Sequence, residues 1–78
     1  MSVKISSVDK HSPAEKCGIR SGDMLLSING NEIEDVLDFR FYMTEKRLNI
    51  VFERDGQTLK ALLKKRGEYD ETGMEFDT

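Results

Sequence analysis

Asp9, His11 and Ser12 bring the three side-chain types of a hydrolytic triad into one short stretch. That chemistry needs a hydroxyl nucleophile, an imidazole base and an orienting carboxylate held in one mutual geometry. Three near-contiguous residues in a turn do not reach it, and Ser12, directly before Pro13, reads better as a helix cap. The acidic run "EYDETGMEFD" suggests calcium, yet it lacks the regular ligand spacing and closing glutamate of an EF-hand loop. Cys17 stands alone, which excludes an internal disulfide and a multi-cysteine metal site. The basic "KKRG" is too short for a nucleic-acid patch and belongs to a chain of net charge −3. No catalytic or metal-ligating set is assigned, and no cofactor is expected. Left unexplained is Gly73, set between Thr72 and Met74 where composition alone suggests a solvated acidic tail.

The elements that must position these residues fit one domain, residues 1–78, near the lower size limit for a core without staples. An independent enzyme with a large cleft is not expected at this size. The N-terminus shows no apolar stretch of the kind a signal peptide or membrane span requires, so a cytoplasmic setting is the expectation. "VKISSV" reads as a first strand, and the shift of its apolar positions from odd to even predicts a bulge near Ser6 and Ser7. "SPAEKCGI" follows with a helix of about one and a half turns. Ser12 is its cap, Pro13 its first position, Glu15 closes a capping box and Gly18 terminates it. "GDMLLSING" reads as a second strand with Met24, Leu26 and Ile28 on one face, ending in the Asn29-Gly30 turn. A brief extended piece lies near Glu32 and Ile33. Asp35 then caps a second helix over 36–45, "VLDFRFYMTE", whose apolar face is interrupted by Asp38 and Arg40.

"LNIVFERDGQTLKALLKK" predicts a hairpin turning at Asp55-Gly56. In that register Phe52 faces Leu59, Ile50 faces Ala61 and Leu48 faces Leu63, all on one face. Asn49, Glu53, Lys60 and Lys64 take the other. A slip of one residue exposes one apolar set, so turn chemistry and hydrophobic pattern specify the same pairing.

Ser12-Pro13-Ala14, Cys17-Gly18-Ile19, Gly22-Asp23, the strand Met24 to Ile28 and Asn29-Gly30 together resemble the core of a PDZ domain. Cys17 stands where that family usually has alanine, which makes it a small buried residue rather than a reactive thiol. The order of elements is similar to the circularly permuted arrangement of bacterial PDZ domains. The resemblance implies an α+β, mainly β fold: a small PDZ-like partly open barrel or sandwich of five to six strands with one short and one longer helix. It makes "QTLKALLKK" the family's first strand and "ETGMEF" its carboxylate-binding loop and groove-lining strand. Gly73 matches the loop's second glycine, Met74 its final hydrophobe and Phe76 the next inward position, whereas Thr72 departs from the usual large apolar residue. The chain also resembles the N-terminal PDZ-like module of radical-SAM-type iron–sulfur proteins of unknown function. That match implies a domain fragment whose redox chemistry lies elsewhere in a parent chain.

The resemblance implies a peptide- or protein-binding module that takes an extended peptide by strand addition. The groove it implies lies between residues 73–76 and the 36–45 helix. Thr72, Gly73, Met74 and Phe76 form one wall, with glycine at 73 letting a ligand approach the backbone closely. On the helix, Val36, Phe39 and Met43 share one face and Leu37 and Phe41 another. The first set is assigned to the core and the second to the groove, the alternative being that all five are core. No histidine starts this helix, so an apolar ligand preference is expected. Glu68, Asp70, Glu71 and Glu75 crowd the loop, and each like-charge pair at about 4 Å costs roughly 1 kcal/mol in water. Lys64, Lys65 and Arg66 are the candidates to offset them. Weak affinity for free C-termini, or a preference for an internal segment, is expected. The partner is thus an extended segment, from another protein or the parent chain, with no nucleic acid or membrane and a monomeric state. The alternative function is a structural or regulatory N-terminal domain of an iron–sulfur enzyme with a degenerate groove.

Overall fold

The computed structural model describes residues 2–65 and 71–76, so Arg66, Glu68, Asp70 and Asp77 lie outside the described residues. In chain order the elements are β1 (Val3–Val8), α1 (Pro13–Lys16), β2 (Met24–Ile28), β3 (Asn31–Glu32), α2 (Val36–Tyr42), β4 (Arg47–Arg54), β5 (Gln57–Lys64) and β6 (Met74–Phe76). Among the described residues the strands form one sheet in the order β5-β4-β2-β1-β6, with β3 paired to β2. This is the mainly β fold with one short and one longer helix that the sequence led us to expect.

The β4–β5 hairpin has the expected register, Leu48 opposite Leu63, Ile50 opposite Ala61 and Phe52 opposite Leu59. Asp55 and Gly56 have φ of 51° and 79°, the left-handed pair that a two-residue turn needs to match strand twist. Leu48, Ile50, Phe52 and Leu63 are buried, Leu59 and Ala61 pack against the same cluster, and Asn49, Glu53, Lys60 and Lys64 are exposed. Side chains such as these contribute about 1.5–3 kcal/mol each when fully buried. The bulge expected in β1 appears as a register shift between Ile5 and Ser7 against β6.

Strand β2 departs from simple alternation. Leu25 and Ile28 are fully buried and Leu26 only partly, where Met24, Leu26 and Ile28 were expected to share a face. The cause is a second irregularity, between Leu25 and Ser27 against β4, which moves the inward positions from every second residue to a spacing of three. Asn29 then ties the strand end to β4. Its N–H donates to the Asn49 carbonyl and its side-chain oxygen accepts from the Asn49 N–H, each at 2.8 Å.

The longer helix is capped as expected, Asp35 accepting from the Asp38 N–H at 2.9 Å, but it stops at Tyr42 instead of Glu45. Lys65, from the end of β5, donates its ammonium to the Met43 carbonyl at the helix C-terminus. A cation there satisfies an orphan carbonyl and complements the helix dipole.

Asp23, 2% exposed, is the fully buried acid among the described residues. It accepts from Arg54 Nε at 2.8 Å and Nη2 at 2.7 Å and from the Arg20 N–H at 2.8 Å, while Arg54 also donates to the Gly18 carbonyl. Arg54 lies 5.4 Å from the Phe52 ring centroid. The α1–β2 connection is thereby fastened to the end of β4. Burial pushes the Asp23 carboxyl up, but the Arg54 hydrogen bonds, the Arg20 N–H and the charges of both arginines outweigh it and hold the group below the usual carboxylate range. A depressed folded-state value means that this stabilisation is complete above the ordinary aspartate pKa of about 3.9 and is lost as the pH falls through the folded-state value. Asp23→Asn is therefore expected to lower stability at pH 7 by about 2 kcal/mol, the order of a hydrogen bond to a charged group. Thermal unfolding of both proteins from pH 7 to pH 3 checks this: the gap between them narrows in acid, and a gap that does not change with pH counts against the assignment.

Candidate functional site

The site starts from the first turn of α1. Ser12 Oγ donates to the Asp9 carbonyl at 2.7 Å and accepts from the Glu15 N–H at 3.2 Å, so its hydroxyl is committed as a cap. Glu15 closes the box on the His11 N–H at 2.9 Å. Asp9, His11 and Ser12 thus serve helix capping, with no triad among them. Cys17, half-buried, donates from Sγ to the Ala14 carbonyl at 3.2 Å, and burial pushes its thiol up, away from thiolate chemistry. Among the described residues no cluster of acid, histidine and cysteine groups is placed to hold a metal. Among the described residues no helix is long and apolar enough to cross a membrane.

Residues 72–76 dock onto this turn and onto β1. The Ala14 N–H, one of the first-turn amides that a helix cannot satisfy itself, donates to the Thr72 carbonyl at 3.0 Å. The Asp9 N–H donates to the Gly73 carbonyl at 2.9 Å. Strand β6 then runs antiparallel to β1, pairing Met74 with Val8, Glu75 with Ser7 and Phe76 with Ile5, and the Ser7 hydroxyl donates to Glu75 at 2.6 Å. The far side of β6 is an edge of the sheet. Gly73 has φ +90°, and a Cβ there would lie 2.2 Å from Ser12 Cβ and 2.4 Å from Ser12 Oγ. Glycine is therefore required by contact with the protein's own helix cap, whereas the expectation was room for a ligand.

Facing β6 across a cleft of about 490 Å³ is α2. Thr72, Gly73, Met74 and Phe76, all expected at the site, line it together with Glu71 and Glu75, and the helix contributes Val36, Phe39, Arg40 and Met43. Leu37 and Phe41 do not. They are 72% and 73% exposed, Leu37 beside Val3 and Lys4 and Phe41 edge-on to Tyr42 at 5.0 Å. The row 36, 39, 43 packs on the core as expected and also borders the cleft, whereas the row 37, 41, expected in the groove, points away from it. Phe39 is also core, 5% exposed, and its ring meets Phe76 at 4.6 Å between centroids, tying the two walls. Its regular spacing with Val36 and Met43, and the inward direction of that face, were visible in the sequence; its second role as a border of the cleft was not. Asp9 and Ser6 border the cleft as well and were not anticipated there.

A short sheet whose edge strand faces a helix across an open cleft defines a small strand-edge module. The PDZ domain family model matches residues 4–54, and the chain belongs to that family. The serine protease Do-like HtrB of Bacillus subtilis (strain 168) is 30% identical in an alignment 73 residues long that covers 85% of this chain and 16% of that protein. The chain thus spans only a small part of that relative. The crystal structure of the HtrA3 PDZ domain bound to a phage-derived ligand (FGRWV) matches with a TM-score of 0.74 at 24% identity, covering 78% of this chain and 56% of that one. At that identity the likeness is one of fold. These matches concern the module; an iron–sulfur parent rests on the sequence resemblance alone.

The Ser12–Gly73 contact makes a direct expectation. Gly73→Ala loses more than about 2 kcal/mol, combining the strain of a positive φ with displacement of the helix cap. In a Ser12→Gly background the obstructing Cβ is gone, so the same change costs less, and a double-mutant cycle by urea denaturation reads the difference. Equal costs in both backgrounds would show that Ser12 is not what demands glycine.

Proposed function

We propose that this domain binds an extended peptide by strand addition along the open edge of β6, with α2 as the opposite wall. The observation that carries the reading is the position of β6, last in the sheet and separated from α2 by a cleft. An edge strand holds unpaired main-chain donors and acceptors, and a peptide laid beside it completes them irrespective of its sequence. Side chains of the added strand then alternate, one set turned toward the cleft. Val36, Phe39, Met43 and Met74 offer that set apolar surface, consistent with an apolar preference. Family membership supports a binding module, and the peptide named for the HtrA3 structure lends the mode a precedent in a related fold. The protease activity named for HtrB is not carried over, because this chain matches only 16% of that protein. The bound segment comes from another protein or from elsewhere in a parent chain, and the domain acts as a monomer without a cofactor of its own.

Titration of the isotope-labelled domain with peptides, followed by amide NMR, tests this. Shifts are expected at Gly73, Met74, Glu75 and Phe76 and on the Val36, Arg40 and Met43 side of α2, with little change at Leu37 and Phe41. Peptides that move Leu37 and Phe41 but leave β6 unaffected overturn the strand-addition mode.

A further inference from the structure

We infer that the cleft selects an internal segment bearing a basic side chain rather than a free C-terminal carboxylate, an inference that rests on the strand-addition reading above. A terminal carboxylate is held by bare N–H groups converging from a loop. Here the Met74 N–H already donates to Thr72 Oγ1 at 3.3 Å, and Thr72 is 2% exposed, so its hydroxyl is packed in place. The loop carries its own acceptor at the point where a carboxylate would bring one. The Thr72 and Gly73 carbonyls are turned to Ala14 and Asp9, which fixes the loop backbone around that internal bond.

The charges bordering the cleft act in the same direction. Asp9, Glu71 and Glu75 line it against Arg40 as the cation among its described lining residues. Lys65, a candidate to offset the acids, is buried with its ammonium on the Met43 carbonyl and keeps its charge there, but it is not among the described residues that line the cleft. Glu75 accepts from the Ser7 hydroxyl, a neutral donor that orients the carboxylate without cancelling its charge. Among the described lining residues a carboxylate entering the cleft meets three acids and one base, whereas a lysine or arginine side chain meets the opposite balance. Strand addition itself asks for no chain terminus, since the ladder is made by interior amides and carbonyls.

The test uses two phage-displayed libraries of randomised heptapeptides, one ending in a free carboxylate and one flanked on both sides by Gly-Ser segments. The flanked library is expected to enrich, with lysine or arginine favoured at one position. Synthetic amidated winners are expected to bind about tenfold more tightly than free-acid versions truncated at that position, with the gap closing as salt rises. Thr72→Val removes the hydroxyl at nearly constant shape and raises free-acid affinity several-fold. Should that variant fail to fold, Glu71→Gln, at an exposed position, narrows the preference instead. Tighter binding of free acids to the unmodified domain overturns this inference while leaving strand addition standing. Enrichment from neither library, with no shifts at β6, overturns both.

Discussion

The close approach of Gly73 to Ser12 is the contact on which the site depends. Residue 73 comes near enough to the cap of α1 that a methyl group has no room, and on either side of it a carbonyl satisfies an amide of the 9–14 turn. Two problems are solved together. The short helix gains an acceptor for a first-turn N–H that its own geometry leaves orphaned, and the chain leading into β6 is fixed before the strand starts. With only three residues, β6 has few ladder bonds of its own, so its position is set largely by this anchor and by the Phe39–Phe76 ring contact. The cleft between β6 and α2 is thus a consequence of how a helix cap is completed.

The remainder of the sheet supplies the platform. The β4–β5 hairpin buries its inner face against the same core that receives Ile5, Ile19, Ile28 and Ile33. Asp23 and Arg54 close the opposite end by joining the loop before β2 to the end of β4. Taking two charges out of water is costly, and here the acid is offset by three donors while the guanidinium keeps a partly exposed edge. The pair fastens a connection that has few apolar side chains to hold it.

Local rules that agreed with one another made the hairpin, both helix caps and the β1 bulge readable in advance. At Asp55-Gly56 the turn residues and the alternation on both strands demand one register, so neither signal needed the fold to interpret it. The features that escaped are those set by distant partners. Asp23 and Arg54 are separated by 31 positions, and nothing near either one names the other. The β2 irregularity depends on how Leu25 and Ser27 meet Phe52 and Val51 on the neighbouring strand. On α2 the row 36, 39, 43 was read correctly as the core face, but that the same row also borders the cleft is set by where β6 lies, and nothing within the seven-residue helix states it. Gly73 was legible as a special position but not for its reason, because Ser12 lies far away in sequence.

Thr72 shows how one side chain couples stability to selectivity. A large apolar residue at this position leaves the Met74 amide for a ligand to satisfy, which makes the empty loop the less stable form. A buried threonine satisfies that amide from within, so the loop is complete without a ligand and holds its shape through a local bond. The same bond removes a donor from any incoming chain end. A ligand that displaces the hydroxyl must then replace an existing hydrogen bond before it gains one, whereas a ligand that pairs only with the outer edge of β6 leaves it intact. The loop's acidic border adds to this bias without creating it, since the hydrogen bond is independent of salt and the charges are not.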